Sequence, residues 1–296
     1  MRSIEKRVHA RVRRLTSPSS LINGKLFEEL YATYNRPEFI HPDPLEFLHR
    51  YPEMEDREIV GIIASSLAYG RVAQILKSIS CILEKMGPSP RQFLKAASRG
   101  SLQRSFFRFK HRFTTSEELV DFLLAIQKVT QSHGSLQRCF LMHYDSRDPD
   151  ITRALESFVQ EIKAHLSINE NSLLPCPGKR SACKRLHLFL RWMVRSDAVD
   201  PGGWSDVSPS KLIVPLDTHM HRICLEMGMT SRKQADLKTA LEVTEAFRTF
   251  APEDPVRYDF ALTRTGIRND VDLAEIMEYK YPRHAGVNAA RGVCNG

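Results

Sequence analysis

The 296-residue chain is long enough to bury a full-size core, as one large domain or as two lobes sharing a cleft. Its 42% hydrophobic and 26% charged residues, with 14 Gly and 16 Pro, exclude a low-complexity protein, and no stretch approaches the roughly 20 apolar residues of a membrane span. Formal charge is +8, from 43 Lys and Arg against 35 Asp and Glu, which favours a polyanionic partner without naming one.

In chain order, the first twenty residues carry Arg2, Lys6, Arg7, Arg11, Arg13 and Arg14 against Glu5, with Ile4, Val8, Val12 and Leu15 at helical spacing. This reads either as a basic arm for phosphates or as a transit-like leader. Asp56 is placed to cap a helix with Ile59, Ile62, Ile63 and Leu67 inward; after Tyr69-Gly70 a second helix buries Val72, Ile75, Leu76, Ile79, Leu83 and Met86. Thr115 and Glu118 form a capping box ahead of Leu119, Phe122, Leu123 and Ile126. Asp148-Pro149 opens a helix through Ile151, Leu155, Phe158 and Ile162. Ser181 is expected to cap the helix of Leu186, Phe189, Leu190 and Met193, and Asp217 the helix of Met220, Ile223, Cys224 and Met227 that ends at Gly228. Two more helices follow, one with Leu237, Leu241, Thr244 and Phe247, the other opened by Asp254-Pro255 with Val256, Phe260 and Ile267.

The fold class is therefore all-α: a two-lobed helical bundle over residues 23–270, behind a basic arm at 1–22 and ahead of a tail at 271–296. One segment departs from the helical period. Phe107-Arg108-Phe109-Lys110-His111-Arg112-Phe113 alternates aromatic and basic residues, as a short strand would. The preferred reading packs its aromatic side on the bundle, and the other makes it a base-stacking platform. The six cysteines, Cys81, Cys139, Cys176, Cys183, Cys224 and Cys294, show neither a Cys-x-x-Cys pair nor zinc spacing, so reduced cytosolic thiols and no metal are expected.

From Asn171 to Ser196 the chain carries Lys179, Arg180, Lys184, Arg185, Arg191 and Arg195 without an acid, which is either a phosphate-binding face or a solvated helix face. A long connection rich in Pro and Gly then leads to Asp217. A helix from Ser181 to Arg195 carries the chain about 20 Å away from Lys184, and the connection is long enough to return over that distance. Lys184 and Asp217, at two helix starts, are thus expected to face each other. A neutral lysine amine can attack a sugar C1′, and a helix N-terminus beside Lys179, Arg180 and Arg185 disfavours the protonated form. A neighbouring carboxylate stabilises the cationic sugar and moves the proton.

The stretch Leu216-Asp217-Thr218-His219-Met220-His221-Arg222-Ile223-Cys224 resembles the Asp-Thr-His segment of the endonuclease III branch of the helix-hairpin-helix DNA glycosylases, whose aspartate is catalytic. Pro177-Gly178-Lys179-Arg180-Ser181-Ala182-Cys183-Lys184 is similar to that family's hairpin and lysine helix, and Tyr258-Asp259-Phe260-Ala261-Leu262-Thr263-Arg264 resembles the helix closing its base pocket. Ser65-Ser66-Leu67-Ala68-Tyr69-Gly70-Arg71 resembles the segment from which that family inserts a residue into the duplex. Departures are a missing second hairpin glycine, a spacing of 33 residues (217 minus 184) closer to an archaeal 8-oxoguanine glycosylase branch, and no iron-sulfur cysteine quartet. Within the superfamily the chain also looks like a bacterial family known as a domain of unknown function, through Asp56-Arg57-Glu58-Ile59-Val60, Ser66 to Arg71 and Lys184 to Arg195.

The resemblance implies a base-excision glycosylase/AP lyase with Lys184 as nucleophile and Asp217 as its electrostatic and acid/base partner. Gly178, Lys179, Arg180, Arg185, His219 and Arg222 would contact nucleic acid, and Tyr69, Arg71, Trp204, Asp259 and Phe260 would form the base pocket or wedge. The expected partner is duplex DNA with a damaged base, bound by a cytoplasmic, nucleoid-associated monomer that needs no cofactor. The rivals are a non-catalytic binder of damaged DNA or structured RNA, and a helical adaptor.

Overall fold

The computed structural model describes residues 18–168, 170–177 and 181–267. They are mostly helical, and the fold is all-α with one two-stranded ribbon. The helices are α1 (Pro18–Tyr34), α2 (Met54–Ser66), α3 (Val72–Met86), α4 (Pro90–Ala96), α5 (Arg99–Phe106), α6 (Ser116–His133), α7 (Leu136–Leu141), α8 (Thr152–Lys163), α9 (Lys184–Val194), α10 (Thr218–Glu226), α11 (Leu237–Arg248) and α12 (Asp259–Ile267). Strands β1 (Lys110–His111) and β2 (Thr114–Thr115) lie between α5 and α6. No helix among the described residues is long and apolar enough to cross a membrane.

Helix starts follow capping chemistry, at times displaced from the expected residue. The Thr115/Glu118 box opens α6, and Asp217 and Asp236 cap α10 and α11. Asp56 does not cap its own helix, which begins at Met54. Its Oδ1 instead accepts the Ser89 hydroxyl (3.0 Å) and the Arg91 N–H (2.7 Å), and so caps the neighbouring α4. The helix expected from Asp148-Pro149 starts at Thr152, because Ile151 N–H is tied to the Lys211 carbonyl and Asp150 accepts from Thr152 N–H. Ser181 is held in a bridge to Asp236, so α9 starts at Lys184 behind a left-handed Cys183 (φ 42°). Turns through Asp254 and Val256 delay α12 to Asp259. Helix α1 begins inside the arm expected at 1–22.

Helix α2 is the centre of the molecule, buried on nearly every side. It packs on α9 through Gly61, where an added Cβ would stand 3.2 Å from the Met193 sulfur and 3.3 Å from the Phe189 ring. A larger residue would make Met193 and Phe189 give way by a few tenths of an ångström. Trp204 is fully buried with its ring 5.1 Å from Phe189 and 5.6 Å from Phe140. This corrects the expectation that Trp204 is a wedge, since an indole packed among aromatic rings contributes most by staying out of water. The first and last helices close on each other: Phe27 of α1 packs on Phe247, Phe250 and Tyr258, and Tyr258 donates to Glu28.

Two arginines of the acid-free stretch are interior. Arg191 and Arg195, 2% and 3% exposed, point from α9 at Asp200, whose two oxygens they share. Arg191 also pairs with Asp259, and Arg195 with Asp197 and Asp254. These cations are therefore neutralised inside the fold and do not belong to the phosphate-binding face the sequence suggested.

The ribbon also differs from expectation. Its strands pair Lys110 with Thr115 and His111 with Thr114, leaving Arg112-Phe113 as a two-residue turn. Phe109 is 9% exposed, but Phe107 is 67% and Phe113 74% exposed. The three rings do not share a packed face, because Phe107 closes α5 in helical conformation and Phe113 lies in the turn.

Removing Asp200 strands two buried guanidinium groups. Asp200→Ala is expected to destabilise the fold by about 3–5 kcal/mol in urea unfolding, and a loss near zero would show that Asp197, Asp254 and Asp259 suffice.

Candidate functional site

Lys184 is the first residue of α9, and Asp217 immediately precedes α10. The connection between them returns along α9: Gly202 N–H donates to the Trp192 carbonyl (3.1 Å) and Trp204 N–H to that of Met193 (2.8 Å). Leu212, Ile213, Val214 and Leu216 are then buried as the chain reaches Asp217. The two side chains meet, Lys184 Nζ lying 2.8 Å from Asp217 Oδ2, with 34% and 26% of each side chain exposed. The other carboxylate oxygen accepts Met220 N–H at 2.8 Å. One carboxylate therefore caps a helix and holds a cation on the surface. Burial pushes the Asp217 carboxyl up, but the Lys184 charge and hydrogen bond and the Met220 N–H together bring it below the usual carboxylate range.

Asp259 lies within electrostatic range of this pair. It is 3% exposed; one oxygen pairs with Arg191, and Oδ1 has no hydrogen-bond partner. Burial raises its pKa to about 6 against the opposing Arg191 charge, with Asp217 raising it further and Lys184 lowering it. Such a carboxylate bordering a lysine-aspartate pair marks a functional-site candidate. Asp259 and Phe260, expected in the base pocket, are both buried. The Arg191 ion pair draws the start of α12 inward, and the Phe260 ring, 2% exposed, sits under the Arg264 guanidinium at 4.6 Å.

The remaining expected residues divide. Arg222 is exposed, 3.9 Å from Glu226, and its Nη2 lies 3.3 Å from His219 Nδ1. His219 is half-buried with Nε2 unpartnered; burial holds its pKa down against the attraction of Asp217. Arg71 is exposed at the start of α3. Arg185, expected at a phosphate, is turned inward: Nη1 donates to the carbonyls of Ser66 (2.6 Å) and Ser172 (2.8 Å), and its guanidinium lies 5.0 Å from the Tyr69 ring centre. It is a clamp between α9, the end of α2 and the loop before α9. Tyr69, expected as a wedge, is fixed at both ends, its ring against Arg185 and His111 and its hydroxyl donating to the His111 carbonyl (3.0 Å). Gly178, Lys179 and Arg180, the arm to residue 17 and the tail at 271–296 lie outside the described residues.

The sequence reading missed Asp200 and the interior roles of Arg191 and Arg195. The available signal was their i, i+4 spacing with His187 on a helix whose other positions from Leu186 to Val194 are apolar. Among the described residues no group of three or more His, Cys, Asp or Glu is placed to hold a metal ion.

A family model described as "Protein of unknown function (DUF2400)" matches residues 43–268, and the chain belongs to that family. No curated protein and no solved structure matches the chain. The helix-hairpin-helix resemblance therefore rests on its motifs and receives no support from these comparisons.

Asp217→Asn retains an N-cap acceptor while removing the charge that faces Lys184. At neutral pH it is expected to cost about 1 kcal/mol or less, because the pair is partly solvated. The folded-state pKa of Asp217 is depressed, so this contribution is present above the unfolded value of 3.8 and is lost as the pH falls through the folded value. Urea unfolding of the two proteins should thus converge in acid; a difference independent of pH would assign it to the cap alone.

Proposed function

We propose that this member of the family is a DNA base-excision glycosylase with AP lyase activity, in which Lys184 is the nucleophile and Asp217 its electrostatic and proton-transfer partner. The observation that carries the reading is the 2.8 Å contact between an amine and a carboxylate at two helix starts, partly open to solvent. Lysine and carboxylate at that separation are what displacement at a sugar C1′ requires.

In the proposed reaction the proton leaving Lys184 Nζ passes through Asp217 to the departing base. The amine lone pair forms a bond to C1′ as the glycosidic bond breaks, and the glycosidic electron pair leaves on the base. Asp217 then takes one proton from the resulting secondary ammonium and returns it to O4′ as the sugar ring opens, which leaves a protonated Schiff base on Lys184. The ionised Asp217 stabilises the positive charge that develops at C1′.

The ligand is duplex DNA carrying a damaged base, with an oxidised purine such as 8-oxoguanine the first substrate to try, by analogy with the enlarged-hairpin branch. Lys179 and Arg180 are the proposed phosphate contacts ahead of α9, with Arg222 on α10, and association with the nucleoid follows from that ligand.

Borohydride reduces a Schiff base to a permanent crosslink. Full-length protein mixed with 8-oxoguanine duplex and borohydride is expected to yield a crosslinked species that Lys184→Ala abolishes, with DNA binding retained. Arg185 cannot substitute, since a guanidinium stays protonated at any working pH. A crosslink mapping to another lysine would refute this site. No crosslink and no base release across a broad panel of lesions would leave a non-catalytic binder of damaged DNA or structured RNA.

A further inference from the structure

We infer that the ribbon turn at Arg112-Phe113, with Phe107 and Arg108, is a base-stacking contact that takes up an unpaired position in DNA bound by this protein. The inference rests on the nucleic-acid reading above and adds a second point of contact to it.

Its first support is exposure. Phe107 and Phe113 are among the few large apolar side chains open to solvent in the described residues, at 67% and 74%. Each carries an arginine on its face: the Arg108 guanidinium lies 5.0 Å from the Phe107 ring centre, and that of Arg112 5.3 Å from the Phe113 ring centre. Among the described residues neither Arg108, Lys110 nor Arg112 pairs with an acid, so the ribbon presents cations together with flat apolar faces. That is the composition that binds phosphate and stacks bases irrespective of their identity.

The second support is the backbone. Two-residue hairpin turns favour Asn, Asp and Gly, which tolerate positive φ. Here the turn residues are Arg and Phe, and Arg112 stands at φ 52°. The Arg112 side chain packs over Gly70 and toward Tyr69, whereas Phe113 is held 74% exposed at the tip.

The third support is anchorage. The strands below the turn are fixed to the segment after α2 and to the loop before α9: Tyr69 donates to the His111 carbonyl, its hydroxyl lies 2.6 Å from Thr114 Oγ1, and Thr114 Oγ1 lies 2.6 Å from Ser172 Oγ. Buried His111 meets Ser78 Oγ at 2.9 Å. The Tyr69 ring centre lies 5.9 Å from the Arg112 guanidinium and 5.0 Å from that of Arg185. The ribbon is thus held at its base and solvent-exposed at its tip.

The test is fluorescence anisotropy of full-length protein at fixed salt, with an intact duplex and the same duplex carrying one tetrahydrofuran abasic analogue. The analogue cannot form a Schiff base, so the readout is independent of Lys184 chemistry. Wild-type protein is expected to prefer the gapped duplex, and Phe113→Ala to reduce that preference by about 5- to 100-fold with intact-duplex affinity unchanged. Phe113→Trp should restore it, and the exposure of this position leaves the fold intact in both variants. A preference retained in Phe113→Ala overturns the stacking contact and leaves the nucleic-acid reading standing. Wild-type binding to neither duplex overturns both. Tighter binding to a bulged RNA hairpin than to the gapped DNA overturns DNA as the ligand.

Discussion

Two buried guanidinium groups sharing one carboxylate govern the geometry of this protein. Transferring Arg191 and Arg195 out of water is unfavourable by several kcal/mol each unless their donors are satisfied, and Asp200 receives both while Asp259, Asp254 and Asp197 complete them. These partners come from the connection after α9 and from the segment entering α12. A hydrophobic seam could slide by one residue; a set of charge-assisted hydrogen bonds cannot. The network therefore fixes where the long connection turns back, and with it the place at which Asp217 arrives beside Lys184.

The amphipathic stripes made the helical class legible, and the Thr115/Glu118 box and the Asp217 cap were readable because capping is local chemistry. Helix starts governed by distant partners were not. Asp56 satisfies a helix other than its own, and Ser181 is claimed by Asp236 across the chain. The Lys184–Asp217 juxtaposition could be argued from helix rise and loop reach alone. The surroundings of the pair could not: Arg185 and Tyr69 look like surface contacts in sequence, yet each is held by carbonyls or rings more than forty residues away or adjoining loops. Trp204 illustrates the same limit, since a tryptophan in a Pro- and Gly-rich loop gives no sign of whether the loop folds inward.

Arg185 and Tyr69 tie the ribbon to the already packed pair of α9 and α2. The joint is polar at its edges and aromatic at its centre, so it resists both sliding and separation. A ligand pressing on the ribbon would press on the start of α9 through contacts that are already closed. The arrangement is rigid where the proposed chemistry demands position and exposed only at the turn.

The closing of α1 on the α11–α12 end of the chain has a consequence for biosynthesis. Phe27 needs Phe247, Phe250 and Tyr258, Tyr31 donates to Asp197 at 3.0 Å, and Arg191 needs Asp259, so the interior stays incomplete until the last described helix has left the ribosome. Asp197 and Asp200 follow α9 directly, but Arg191 waits for Asp259 and Arg195 for Asp254, and until then the first helix has no cover for its rings. A ribosome that stalls before Phe247 therefore releases a chain whose first helix and α9 both lack interior partners that have not yet been made.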